Sequence, residues 1–382
     1  MEKIKGFRNC NILTPKGFVK TSLIINDGKI SSIGKDEEGL LELDDNLFVV
    51  PGFIDEHIHG AMGSDAMDGT TKDLSNIACA LAKEGTTAFC ATTMTQSKEN
   101  IKKALSAVDE YIKEDHKEGA KVLGVHLEGP FISKDFVGAQ PIEHVQKPLV
   151  ETFKEYEKAS GNNIKIVTLA PEVEGALDLI KYLDSKKIVP SIGHTNAKYQ
   201  ECLEAIKAGA KCVTHTYNAQ KGVHHRDIGV AGSAMLQDEL NCECICDGIH
   251  VSPAAIKLLN KNKPDTKFTL ITDAMRAKHM PDGISELGGQ TVIVKDGEAR
   301  LENGTLVGSV LKMNVAVKNV CKFLDKKLEE VVLYATKNPA LNLGVYDQMG
   351  SIEKGKFANF AIVDKDVNVY LTVREGNVIY KK

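Results

Sequence analysis

His57 and His59 stand two residues apart, directly after the run Pro51-Gly52-Phe53-Ile54-Asp55. In extended chain such residues face the same side, so both imidazoles can reach one ion. Glu128 sits in His126-Leu127-Glu128-Gly129-Pro130, where Gly-Pro marks a sharp exit from an apolar run. His194 follows Ser191-Ile192-Gly193, His215 follows Val213-Thr214, and His250 closes Asp247-Gly248-Ile249. Asp273 ends Leu270-Ile271-Thr272. Each has a bland alternative: a surface His pair, an exposed loop carboxylate, a packed core histidine. A carboxylate ending an apolar run is costly unless paired, protonated or linked to a metal. Together, imidazoles and carboxylates are the donor set of divalent transition metals, and such an ion makes hydroxide available near neutral pH. His126 shares a face with Glu128; it could support that carboxylate or simply pack.

A second chemistry is suggested by Arg226, which closes Gly222-Val223-His224-His225-Arg226 in a chain with few arginines. Its planar fork matches phosphate oxygens, and His225 and His250 could add donors. The alternative is a solvated basic loop. No Walker loop accompanies it.

These residues need a frame. Short apolar runs over 48–54, 86–92, 122–128, 164–170, 188–194, 210–215, 243–250 and 268–273 read as strands. Helical patterns lie between most of them, for example 99–111, 175–185, 197–208 and 253–260. This alternation predicts an α/β fold, a (β/α)8 TIM-like barrel. Barrel enzymes carry their chemistry where strands end, and six of the eight runs end in His, Glu or Asp or, for the first, run on into His57 and His59. Only the second and fourth do not. The first 45 residues and the last 35 read instead as strand and turn, with Asn26-Asp27-Gly28 and Glu375-Gly376-Asn377 as hairpin signals. Neither end has apolar surface for its own core, so the two are expected to join in a small β-sandwich. The expected division is 1–50 and 346–382 for that domain and 51–345 for the barrel. A Gly-rich hairpin is expected within 288–308.

Composition narrows the classes. The 382 residues carry 48 basic and 52 acidic side chains, a net charge of −4 that gives no general attraction to nucleic acid or anionic membrane. No apolar run reaches the roughly 18 residues of a membrane span. No apolar leader is visible near Met1, so a cytoplasmic location is the expectation. Nine scattered cysteines argue against a disulfide framework. Cys242, Cys244 and Cys246 alternate, which places them on one strand face as buried thiols rather than a thiolate metal site.

In combination, Leu127-Glu128-Gly129-Pro130, Gly193-His194-Thr195-Asn196-Ala197, Asn218-Ala219, Asp247-Gly248-Ile249-His250, Thr272-Asp273-Ala274 and Leu306-Val307-Gly308-Ser309 resemble the amidohydrolase superfamily. Within it the likeness is to the N-acetylglucosamine-6-phosphate deacetylases, and it covers almost the whole chain. The resemblance implies that Glu128, His194 and His215 hold a principal divalent metal and that Asp273 is the acid and base of amide hydrolysis. It implies a phosphorylated amino sugar as substrate, with Arg226 and His250 on the phosphate, Asn218 and Ala219 along the sugar, and Gln140 on the amide carbonyl. It also implies a homodimer, whose phosphate ligand can come from the partner.

This chain departs from the family pattern at three places. Having both His57 and His59 makes a second metal plausible, so one or two ions of zinc, iron, manganese or cobalt are expected. Gln140 stands where His is common, and Gln220 where Met commonly follows Asn-Ala. The rival amidohydrolases, dihydroorotase-like or deaminase-like, often use a modified lysine after the fourth strand, where this chain reads Leu169-Ala170-Pro171-Glu172. A non-catalytic scaffold would show broken ligand positions, and all are filled.

Overall fold

The structure, a computed structural model, describes residues 2–382. Eight strands make one parallel sheet in strict chain order: Phe53–Ile58, Thr86–Thr93, Lys121–Glu128, Ile164–Leu169, Val189–Ile192, Cys212–Val213, Asn241–Ile245 and Phe268–Ile271. A helix follows each strand, from Thr71–Ala82 after the first to Met313–Leu324 after the last. Parallel neighbours need such crossovers, and the helices cover the outer face of the barrel. Local chemistry sets their ends. Ser97 accepts from Asn100 N at the start of Lys98–Lys113, which buries Ile101, Leu105, Val108 and Tyr111 on one stripe. Ser252 caps Pro253–Lys261, with proline at the first turn, where its missing N–H is harmless.

The first and last barrel strands close at the mouth. Asp273 N donates to His57 O at 2.8 Å, and His59 N to Ala274 O at 2.9 Å. Below these bonds the buried Asp55 carboxylate accepts from Thr272 N at 3.3 Å and Thr272 Oγ1 at 2.6 Å. The seam is therefore tied by the same residues that bring His57, His59 and Asp273 together.

Both chain ends enter a second sheet of eight strands. Phe360–Val363 pairs with Phe48–Pro51, which lies beside Gly6–Thr14. The expected hairpins form: Asn26 pairs with Lys29 around Asp27-Gly28, and Arg374 with Asn377 around Glu375-Gly376. All four turn residues have positive φ, as a tight two-residue turn demands. Phe7, Ile12, Leu23, Val49, Phe360, Ile362 and Leu371 form this sheet's own core.

Several sequence expectations are corrected. The run 48–54 is two elements: Phe48–Pro51 belongs to the terminal sheet and Phe53–Ile58 to the barrel. They part at Gly52, where a Cβ would lie 2.2 Å from the Thr87 side chain. The seventh strand stops at Ile245, so His250 is a loop residue and not a strand end. The fifth, sixth and eighth strands stop two residues short of His194, His215 and Asp273. The Gly-rich region is a three-stranded sheet, Gly283–Leu287, Gln290–Lys295 and Glu298–Leu301. Its Leu287, Val292 and Val294 pack with Met94 and Val307 beside the mouth. Among the described residues no helix is long and apolar enough to cross a membrane.

Replacing Asp55 by Leu leaves Thr272 donors unpaired and is expected to cost about 2–5 kcal/mol in urea unfolding, with Asp55→Asn far milder. Burial raises the Asp55 pKa from 3.8 to about 6. The folded state then holds this proton more tightly than the unfolded chain. Wild-type stability relative to Asp55→Asn should therefore fall as pH rises from about 4 to about 6. A difference that stays flat across that window would refute the buried-acid assignment.

Candidate active site

Glu128 is the hub of the barrel mouth. Its Oε1 lies 2.9 Å from His215 Nε2, 3.2 Å from His194 Nε2 and 3.4 Å from His57 Nε2. Its Oε2 lies 3.2 Å from His59 Nε2 and accepts from Gln140 Nε2 at 2.9 Å. Asp273 Oδ1 lies 3.4 Å from His57 Nε2 and 3.2 Å from His59 Nε2. All of these side chains are buried. The structure thus brings together His57, His59, Glu128, Gln140, His194, His215 and Asp273 from the ends of five strands and one loop.

The backbone does the aiming. His194, His215 and Asp273 have φ of 49°, 28° and 48°, each just past its strand. Left-handed backbone is uncommon for such residues and clusters at functional sites, where the surroundings over-determine it. Gly129, at φ 78°, lets the chain turn after Glu128, and a Cβ there would meet Thr95 Oγ1 at 2.2 Å.

The second ring nitrogen of three histidines is anchored. His57 Nδ1 lies 3.0 Å from Glu243 Oε2, His59 Nδ1 3.2 Å from Thr92 O, and His194 Nδ1 3.0 Å from Phe136 O. Each anchor leaves Nε2 to face Glu128, and His57 Nε2 is buried without a hydrogen-bond partner. Anchoring one nitrogen and offering the other is how proteins present histidine to a metal. Two overlapping donor groups result, His57–His59–Glu128 and Glu128–His194–His215, each with its atoms within 4.8 Å of one another. Chemistry and spacing both fit a divalent ion, with Glu128 common to the two groups.

The opposed carboxylates favour the charged form of the imidazoles. Burial would lower the His59 pKa, but Asp273 and Glu128 overcome it and raise it to about 10. His57 is likewise pushed up against burial, by Asp273, Glu128 and Glu243. Asp273 falls to about 2, since His57 and His59 outweigh its burial. His126 goes the other way, to about 4, through burial and the charge on His57. Its two nitrogens meet Glu56 O and Thr168 Oγ1, so it packs beside the site rather than supporting Glu128.

A cavity of about 240 Å³ opens above the hub. Gln140, Asn218, Ala219 and His250 line it. Gln140 Oε1 accepts from Thr95 N at 2.6 Å, which turns its amide NH2 inward. His250 is held by Asp247 at 2.6 Å, and its Nε2 is unpartnered. Arg226 and His225 do not join this cavity. They sit exposed on the loop after the sixth strand, Arg226 Nη1 donating to His225 Nε2 at 2.8 Å, beside a separate depression with Lys198 and Tyr199. Gln220 is buried behind the wall. Met94, Leu287 and Thr305 also line it and were not expected; they come from a neighbouring strand end, the added small sheet and the loop after that sheet.

An ion entering this centre must displace the protons on His57 and His59. Apparent zinc affinity should therefore rise with pH, about tenfold per unit for each proton displaced. Calorimetry at pH 7 in two buffers of different ionisation heat should show at least one proton released per ion. Binding without proton release would contradict this balance of charges.

Residues 48–379 match the model of the amidohydrolase family. An N-acetylglucosamine-6-phosphate deacetylase of Bacillus subtilis is 41% identical over 377 residues, 97% of this chain and 95% of that one. The solved deacetylase of the same name from Thermotoga maritima superposes with a TM-score of 0.90 at 36% identity, covering 99% of this chain and all of that one. A Mycobacterium smegmatis deacetylase mutant, solved in complex with N-acetyl-D-glucosamine-6-phosphate, superposes with a TM-score of 0.91 at 28% identity, covering 99% of this chain and 100% of that one. Barrel, donor groups and full-length likeness agree: the chain belongs to the amidohydrolase family.

Proposed function

We propose that this chain hydrolyses the acetamide of N-acetylglucosamine 6-phosphate, releasing acetate and glucosamine 6-phosphate. The observation that carries the reading is the Glu128 hub with Asp273 beside it, at the base of a cavity walled by Gln140, Asn218 and His250. Relatives of the same name, alike over nearly the full chain, support it.

Glu128, His194 and His215 would hold one divalent ion, and His57 with His59 and Glu128 a second. Zinc, iron, manganese and cobalt all suit these donors. When bound, such an ion polarises the amide carbonyl and acidifies water. The protein's own groups do the rest. Asp273 is ionised and can take the proton of the attacking water, then deliver it to the leaving nitrogen. Gln140, pinned by Thr95 N, has an N–H to offer the oxygen on which charge develops. His250 Nε2 and Asn218 hold the far end of the sugar, which orients the amide.

Arg226 and His225 are read as phosphate ligands for a second copy in a homodimer. Their exposure outside their own cavity supports this. The dihydroorotase-like reading is weaker, because Glu172 after the fourth strand accepts from Thr195 Oγ1 at 2.5 Å and Asn196 N at 2.7 Å. That carboxylate braces a loop, and no lysine stands near it in the chain.

Asp273→Asn should retain its metal and lose about 10²–10⁴-fold in kcat for acetate release; near-normal turnover rules out the assignment. Arg226→Ala should raise KM about 10–100-fold on the phosphorylated sugar and leave unphosphorylated N-acetylglucosamine unaffected. Mixed with Asp273→Asn, it should regain activity through hybrid dimers. No recovery on mixing would mean that Arg226 does not act across subunits.

A further inference from the structure

The seventh barrel strand, Asn241–Ile245, alternates its chemistry. Cys242 and Cys244 lie in the apolar core, and Asn241 and Glu243 face the opposite side. Glu243 is fully buried, where a carboxylate is costly without donors. One oxygen has two. Oε2 accepts from His57 Nδ1 at 3.0 Å and from the backbone N of His215 at 3.2 Å. The other oxygen, Oε1, has no hydrogen-bond partner.

These two contacts reach different strands and different donor groups. His57 belongs to the His57–His59–Glu128 group, and His215 to the Glu128–His194–His215 group. Both depend on Glu243 for something nothing else provides. The other ring nitrogen of His57 points at Glu128 and Asp273, so its tautomer is set at Nδ1 alone. His215 has no partner on Nδ1, and its backbone stands at φ 28°. An acceptor on its N–H is a direct restraint on that unfavourable backbone. His59 and His194 are anchored by backbone carbonyls of Thr92 and Phe136, which belong to the fold itself.

We propose that Glu243 is the positioning residue of the metal centre: a single buried carboxylate oxygen that fixes the His57 tautomer and the His215 backbone, and so aligns both donor groups at once. The inference rests on the metal-dependent reading above and adds the residue that orients its ligands. Glu243 touches neither substrate nor ion; it acts through the two histidines. A carboxylate or carbonyl acceptor on the far ring nitrogen typically governs metal affinity by about 10–100-fold.

The test uses Glu243→Leu, which removes the acceptor at similar size, and Glu243→Gln, which keeps an acceptor oxygen. Cobalt(II) retention by the full chain is followed by its visible absorption against a competing chelator. Glu243→Leu should hold cobalt about 10–100-fold more weakly than wild type, and Glu243→Gln should recover most of that loss. In the zinc-loaded, ¹⁵N-histidine-labelled wild type, the His57 ring should carry its proton on Nδ1. A proton on His57 Nε2 overturns the proposal whether or not the Leu variant folds. So does wild-type cobalt retention in Glu243→Leu, or a Gln variant as weak as Leu. A wild-type chain that takes up no cobalt or zinc instead removes the metal reading itself, which sets that failure apart.

Discussion

Two buried carboxylates, Glu128 and Asp273, share the same pair of imidazoles, and they stay ionised together only while positive charge lies between them. That requirement governs the mouth of the barrel. Protons on His57 and His59 meet it, and a divalent ion held by these donors would meet it as well while also taking up lone pairs of His194 and His215. The same need explains the density of anchors around the site. Four imidazoles packed this closely repel one another when protonated, and each must be held against that repulsion by something on its far side or on its backbone. Thr92, Phe136 and Glu243 do so.

The scaffold and the centre are built from the same bonds. Asp273 N to His57 O closes the barrel seam and also sets the Asp273 carboxylate beside its histidines. Ser309 N donates to Asp273 O at 2.8 Å, so the loop that walls the cavity also fixes the Asp273 backbone from behind. Loosening the seam therefore loosens the chemistry. The left-handed backbone at His194, His215 and Asp273 is tolerable because such bonds define these positions several times over.

Much of this was legible in the chain. Eight apolar runs with helices between them specify the barrel, and polar residues at the run ends mark the mouth. The limits are also physical. Where a strand stops depends on where the backbone turns left-handed, and nothing in Gly193-His194 or Thr214-His215 announces that turn. Gly52 joins two strands that run on without a polar break, so the boundary between sheets is invisible to hydrophobicity. His250 looked like a strand end because Cys246 continues the apolar run past Ile245, whereas Asp247 and Gly248 already leave it. Glu243 went unnoticed as the start of a strand, although Asn241 and Glu243 facing away from Cys242 and Cys244 was the available signal. The location of Arg226 outside its own cavity cannot be read from sequence, since it depends on how a loop leaves the barrel.

The terminal sheet has a temporal consequence. Val378 N donates to Glu2 O at 2.8 Å, and Ile4 N to Gly376 O at 3.0 Å, so the two ends of the chain lie side by side. During synthesis the strands from Gly6 to Ile33 leave the ribosome before the barrel does, with Phe7 and Leu23 not yet covered by the later strands. Phe360–Val363 and Val369–Arg374, which share their apolar core, emerge only after the whole barrel has been made. The nascent N-terminal hairpin must wait with part of its apolar face open until the C-terminal strands arrive.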